Sequence, residues 1–376
     1  MAHSGRPARR ASRVRRLTAG ADHGTLAAVD PLKGAYDYAA RAHAGQHRKG
    51  GAPYILHPAE VAAILQRAGV DEMAVLRASL LHDVVENAPR RVADIASEFG
   101  PTVADLVGEL TRPEATRHDR EVFRGYLDGL SGRARLIKLA DRIENVRGLR
   151  AIHDDSEFVR RYLEETRALF LSEWSARTHP GLAQTLDEAY QAAVFRWFEE
   201  LRTAYRPQQV RLLFLGEAPP DPKQHDARFF YGPTLSRHHY LFLGMMEALY
   251  GARLDRMAGR KAEWLRRFQG DGFWVLDALS APAEPRRRVD RLAALKNTAH
   301  DVAERIKAVG PATGVVLCHP LADEALRPSL RAAGILLLHE SVIPFPLPPW
   351  RRSFVERVRL AMMIGGVSPA TRESEA

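Results

Sequence analysis

Four side chains able to hold a divalent cation lie between residues 57 and 141: His57 in PYILHPAE, His82 and Asp83 in LLHDVVEN, and Asp141 in LIKLADRIENVR. Two imidazoles with two carboxylates favour Mn, Fe, Zn or a related metal over calcium, which takes oxygen ligands alone. Two carboxylates cancel the ion's charge, so a polyanionic substrate needs cations nearby. Arg48 and Lys49, in GQHRKGGAPY, precede His57 by nine and eight residues. Glu86 stands four residues after His82 and three after Asp83. That spacing puts it one helical turn away, where a carboxylate can position a water or carry its proton. Cys318 is the single cysteine, which excludes an internal disulfide or a thiolate cluster and leaves nitrogen and oxygen as ligands.

The elements that must position these groups read as helices. HPAEVAAILQRAG has apolar residues at three- and four-residue spacing, a proline at its start and a glycine at its end. DEMAVLRASLLHDVVEN reads as a continuing helix that carries His82 and Asp83. RRVADIASEFG, TVADLVGEL, ARLIKLADRIENVRGLR and a long stretch to Leu201 extend the pattern. At AYRPQQVRLLFLGEAPP the period changes to that of a buried strand meeting a loop, which sets a boundary near residues 206–209. Beyond it VRLLFLGE, GFWVLDA, GVVLCHP and GILLLHE alternate with helix-like runs, as in a parallel α/β sheet. The expected architecture is therefore multidomain: a basic disordered tail over 1–25, an all-α domain with a helical extension over 26–204, and an α/β domain with a mostly parallel sheet over 205–376.

The stretches AHAGQHRKGGAPYILHPAEVAAIL, ASLLHDVVEN, IASEFGPTVADLVGELTR and RLIKLADRIENVRGL resemble, in order and spacing, the hydrolase domain of RelA/SpoT-type alarmone enzymes. That family is a branch of the HD phosphohydrolase superfamily, and the resemblance spans roughly residues 35–150. It implies an all-helical HD-type domain with one Mn²⁺ on His57, His82, Asp83 and Asp141. It also implies removal of the 3′-pyrophosphate from (p)ppGpp or a related nucleotide, the chemistry of the stringent response. Arg48 and Lys49 match the basic motif at the substrate site, and Asn145 matches an asparagine four residues past the last ligand. Glu86 is the matching catalytic acid. Asn87 departs from the family, which normally has an aspartate there; the amide keeps the shape and hydrogen-bonding capacity but cannot accept a proton. That departure bears on rate or on substrate. The synthetase domain of the long family members is not recognisable, and residues 150–204 read as helical packing material.

In the second half the strand-like runs end in Glu217, Asp277, His319 and His339. In open parallel sheets ligands bind beyond the carboxyl ends of strands, so these four outline a pocket. FLGEAPP, ARFFYGPTLSRHHYLF and HESVIPFPLPPWRR weakly resemble the uracil-DNA glycosylase superfamily. That likeness implies Glu217 and Phe230 at a base pocket, although Pro220 stands where a glycine is usual. The formal charge is +9, six of it from arginines in the first 20 residues, which leaves +3 on the rest. An Arg-rich arm and basic loops allow a nucleic-acid partner. The alternative to a hydrolase is thus a nucleotide-sensing, nucleic-acid-binding regulator with a degenerate HD site. No apolar run has the length of a membrane span, and the expectation is a cytoplasmic protein without membrane contact.

Overall fold

The computed structural model describes residues 30–117, 119–152, 156–220, 228–280 and 287–368; the Arg-rich segment expected to form a tail lies outside them. The described chain divides into two compact units. One comprises residues through Asn145 together with Glu173–Ala183, the other Val146–Ser172 together with Gln184 onward.

The first unit is helical: α1 (Asp30–Ala42), α2 (Leu56–Arg67), α3 (Met73–Leu81), α4 (Val84–Asn87), α5 (Val92–Phe99), α6 (Pro101–Leu110), α7 (Arg120–Gly129) and most of α8 (Gly132–Gly148). α3 packs on α1, α2 and α6. Being covered on three sides, it buries Val75, Leu76, Ala78, Ser79, Leu80 and Leu81, with only Arg77 between them reaching out to the Pro31 carbonyl, which explains why its sequence is mostly apolar rather than striped. Each fully buried leucine contributes about 1.5–3 kcal/mol relative to exposure. α8 is also a core element, with Ala134, Ile137, Leu139, Ala140 and Ile143 buried around Asp141. α5 and α6 meet at Gly100, whose φ of 86° is open to a residue without Cβ, and Pro101 then starts α6 where its missing N–H costs nothing. Later in the chain α9 (Ser156–Glu165) belongs to the second unit, and α10 (Glu173–Thr178) returns to the first. There the Trp174 indole donates to the Leu127 carbonyl (3.2 Å), and the Arg135 guanidinium lies 5.9 Å from the centre of its ring. α11 (Pro180–Ala204) contributes its first residues to one unit and the rest to the other.

The expected continuous helix over 71–87 is interrupted. α3 ends at Leu81 and α4 begins at Val84, with Asp83 at φ −100°, ψ −6°. In a regular helix adjacent residues point about 100° apart. Here His82 and Asp83 stand at the break, and their side chains nevertheless meet, with Nε2 3.4 Å from Oδ1.

The second unit holds a three-stranded parallel sheet, β1 (Leu212–Gly216), β2 (Phe273–Asp277) and β3 (Gly314–Leu317), in the order β2-β1-β3. All three strands are fully buried, as expected of a parallel sheet covered on both faces. The helices are α12 (Tyr240–Tyr250), α13 (Leu254–Met257), α14 (Lys261–Gly270), α15 (Arg288–Asn297), α16 (Ala299–Val309), α17 (Pro320–Ala332) and α18 (Arg351–Ile364). The fourth expected strand, GILLLHE, is reduced to a single parallel bridge between Val315 and Leu337. The ladder stops because the Leu317 N–H is taken by the His339 ring (2.9 Å) instead of a backbone carbonyl. Among the described residues no helix is long and apolar enough to cross a membrane.

Candidate metal centre

His57 sits at the start of α2, His82 and Asp83 in the break between α3 and α4, and Asp141 in the middle of α8. Their polar atoms meet. His57 Nε2 lies 3.4 Å from Asp83 Oδ2 and 3.3 Å from Asp141 Oδ1; His82 Nε2 lies 3.4 Å from Asp83 Oδ1 and 3.9 Å from Asp141 Oδ1. One ligand atom each from His57, His82 and Asp83 falls within 4.8 Å of the others, and this triad is a divalent-metal site.

The ring tautomers decide what the cluster wants. His82 Nδ1 is 2.8 Å from the Ser79 carbonyl, which can only accept, so Nδ1 carries the proton and Nε2 presents a lone pair. That Nε2 is buried with no hydrogen-bond partner. His57 Nδ1 hydrogen-bonds the Glu144 carboxylate, which likewise turns its Nε2 toward Asp83 and Asp141. The His82 lone pair aimed at carboxylates is repelled unless a cation lies between them, and an ordered acceptor on the far nitrogen is the usual outer partner of a metal-bound histidine. The donor set therefore fits a divalent metal.

Positive charge gathers on the two carboxylates. Burial alone would lower the His57 pKa, but hydrogen bonds to Asp141, Asp83 and Glu144 raise it well above the ordinary histidine value. Burial would raise both aspartates; His82 and His57 hold Asp83 below the usual carboxylate range instead, and Lys138 with His57 does so for Asp141. Lys138 Nζ is 2.9 Å from Asp141 Oδ2. Each carboxylate stays ionised because positive charge faces it.

An HD domain family model matches residues 35–172. The helical half is an HD-type domain. Curated relatives include a probable guanosine-3′,5′-bis(diphosphate) 3′-pyrophosphohydrolase of Synechocystis sp., 38% identical over 144 residues covering 36% of this chain and 19% of that protein. The bifunctional (p)ppGpp synthase/hydrolase SpoT of Escherichia coli K12 is 37% identical over 150 residues, covering 38% and 21%. The chain spans about a fifth of the length of these relatives. Among solved structures, a metazoan ortholog of SpoT that hydrolyzes ppGpp is 28% identical, with 44% of this chain and 96% of that chain covered at a TM-score of 0.38.

Of the remaining candidates in the HD domain, Asn145 and Asn87 connect to the centre, directly or through a neighbour. Arg48 donates from one terminal nitrogen to Glu144 (2.9 Å) and to the Asn145 side-chain Oδ1 (2.8 Å), while the Asn145 side-chain Nδ2 donates to Asp141. Asn145 thus joins the basic loop to a carboxylate of the centre. Lys49 is exposed one residue further on. Glu86 accepts the Arg112 backbone N–H at 3.2 Å, which anchors one of its oxygens. Asn87 is exposed, and its amide donates to the Tyr54 hydroxyl at 3.1 Å. Sequence reasoning missed Tyr54, Lys138 and Glu144. For the last two a signal existed, since they lie three residues either side of Asp141 on α8 and so share its face.

In the second unit Glu217, Phe230, Asp277 and His319 line one cavity of about 300 Å³ at the carboxyl ends of β1, β2 and β3. His339 is not among its lining residues: its Nε2 accepts the Leu317 N–H, and its Nδ1 is 2.9 Å from the Ser341 carbonyl. Glu217 is gripped by two nitrogens of Arg291, the Nε at 2.7 Å, and stands 3.1 Å from His319 Nε2. His319 Nδ1 accepts the Leu321 N–H, so its Nε2 is the donor toward Glu217. Burial pushes the Asp277 carboxyl up against the pull of Arg202, which donates to it at 2.6 Å. Gly216 lets that carboxylate approach β1, since a Cβ there would lie 2.9 Å from Asp277 Oδ1. Phe230 is 5% exposed, edge-on to Tyr231 and Phe242, and forms a wall of the cavity rather than a free platform. The family match ends at residue 172, short of this cavity.

Proposed function

We propose that the HD domain is a divalent-metal-dependent phosphohydrolase that removes pyrophosphate from (p)ppGpp or a related nucleotide, with Mn²⁺ on His57, His82, Asp83 and Asp141. The observation that carries the reading is the buried His82 Nε2, left without a hydrogen-bond partner and facing carboxylates. A divalent ion, when bound, supplies Lewis acidity to a water and to a phosphoryl oxygen. The chain's own residues do the rest. Ser79 and Glu144 hold the two imidazoles so that each offers Nε2. Glu86, anchored by the Arg112 N–H, holds a water or takes its proton. Arg48 and Lys49 receive the phosphates; the guanidinium has five N–H groups, of which the contacts to Glu144 and Asn145 use one nitrogen's. The homologous hydrolases named above support this choice of substrate class.

The test is release of pyrophosphate from ppGpp by the full chain with Mn²⁺, followed by chromatography beside Asp83→Ala. Turnover by the wild type alone supports the proposal; a wild type that binds metal and ppGpp without turnover favours the sensing regulator. For the second unit, the convergence of Glu217, Asp277 and His319 on one cavity favours a ligand site. Its glycosylase-like reading is tested by base release from uracil-containing single-stranded DNA. Nucleic-acid affinity that falls steeply with salt but without base release supports a binding role instead.

A further inference from the structure

The side chain at position 87 is wired to the centre through a neighbour. Asn87 Nδ2 donates to the Tyr54 hydroxyl at 3.1 Å, and that hydroxyl donates to Asp83 Oδ2 at 2.7 Å. The same Oδ2 faces His57 Nε2, while Oδ1 faces His82 Nε2. Both ends of the connection are held. Gln46 donates to the Asn87 backbone carbonyl at 2.8 Å and receives His43 Nδ1 at 2.8 Å, and the His43 ring stacks on Tyr54 with centroids 4.6 Å apart. The loop before α2 and the end of α4 are thereby stitched together around one phenol.

A phenol has one proton and two lone pairs. With an amide N–H filling a lone pair, the proton has a single place to go, which is Asp83. The flipped amide would present its oxygen to Tyr54, and two acceptors would then compete for that proton, so the hydrogen bonding itself selects the orientation. We propose that Asn87 is a positioning residue that directs the Tyr54 hydroxyl onto Asp83 Oδ2 and so fixes which way Asp83 presents its oxygens to a cation. This rests on the metal-centre reading above.

It follows that an acid at this position does not simply add a catalytic group. A carboxylate 3.1 Å from the Tyr54 oxygen has no proton to give and must draw the hydroxyl away from Asp83 or turn aside. Asn87→Asp therefore frees Asp83 from its outer partner, and partners of this kind contribute roughly 10–100-fold to metal affinity. The new negative charge also attracts the ion directly, which works in the opposite sense. A cycle separates the two, because direct attraction persists in a Tyr54→Phe background whereas the competition for the hydroxyl does not.

The experiment is Co²⁺ and Mn²⁺ titration of the full chain by calorimetry, with the visible spectrum of the Co²⁺ form as a second reading, for wild type, Asn87→Asp, Tyr54→Phe and the double variant. The expected result is that Asn87→Asp lowers affinity about tenfold more in the Tyr54 background than in Tyr54→Phe, and shifts the Co²⁺ bands only in the former. Equal effects in both backgrounds, with wild-type binding intact, overturn the positioning role and leave the metal centre standing. A wild type that binds neither ion overturns both. Circular dichroism of the four proteins excludes misfolding as the cause.

Discussion

At the metal centre Lys138 and Asn145 hold Asp141 and Tyr54 holds Asp83, but the buried His82 Nε2 faces these carboxylates with no hydrogen-bond partner, whereas at the cavity of the second unit the histidine and the acids meet each other: Glu217 has Arg291 and the His319 N–H, and Asp277 has Arg202. Both clusters look alike as sequence, acids and histidines at the ends of apolar runs. They differ at the histidine: His82 Nε2 has no partner, while His319 Nε2 has Glu217. A buried lone pair that no protein donor meets has a free-energy cost of about 1–3 kcal/mol, and it is offset only when a ligand arrives. A closed pair carries no such demand. The first cluster thus calls for a cation at His82, while the paired acids of the second can serve as the rigid wall of a pocket.

Removing one group on each side sharpens the contrast. The largest effect belongs to Asp83→Ala, which should abolish Mn²⁺ binding in calorimetry and pyrophosphate release with it while the helical content by circular dichroism persists; retention of binding would show that the centre does not need this carboxylate. Glu144→Ala is expected to weaken Mn²⁺ affinity by roughly 10–100-fold, because His57 loses the acceptor that orients its ring. In the cavity the corresponding deletion acts on stability rather than on metal. Arg291→Ala strands Glu217, which is 7% exposed, and should destabilise the second unit by about 2 kcal/mol in denaturant titration with Mn²⁺ affinity unchanged. A loss of metal affinity from that change would break the comparison.

The smallest effect is a pH response. Burial lowers the pKa of His319 and of His339 from 6.5. As pH falls below about 6.5 the unfolded chain takes up protons that the folded unit refuses, so stability present at neutral pH is lost on acidification. Hydrogen-exchange protection of the β1–β3 amides, corrected for intrinsic rates, should decline between pH 7 and 5.5. Protection that rises instead would mean that pairing with Glu217 and Asp323 outweighs desolvation.

The residues that meet here were legible as candidates because their types are rare inside apolar helices, so His82 and Asp83 stand out in LLHDVVEN and Asp141 in LIKLADRIENVR. Their outer partners were not. Glu144 on a helix also reads as a solvated acid, and Tyr54 as a core aromatic; only the fold brings one to His57 and the other to Asp83. The break after Leu81 carried no glycine or proline to announce it. Strand count was overstated by one because GILLLHE has the right residues for a strand, while the side chain of His339 occupies the backbone donor that a fourth strand would extend. Local pattern records what a segment prefers, and these outcomes depended on which neighbour reached a donor first.

The return of Glu173–Ala183 to the first unit sets a rule for dissecting the protein. A fragment cut at residue 172, where the family match ends, would strip α10 from the helices it covers and expose the Leu127 carbonyl and the Arg135 stem to water. Anyone isolating the HD domain should therefore carry the chain through Ala183, knowing that the included segment 146–172 is assigned to the second unit and loses the neighbours that bury Val159, Leu163 and Phe170.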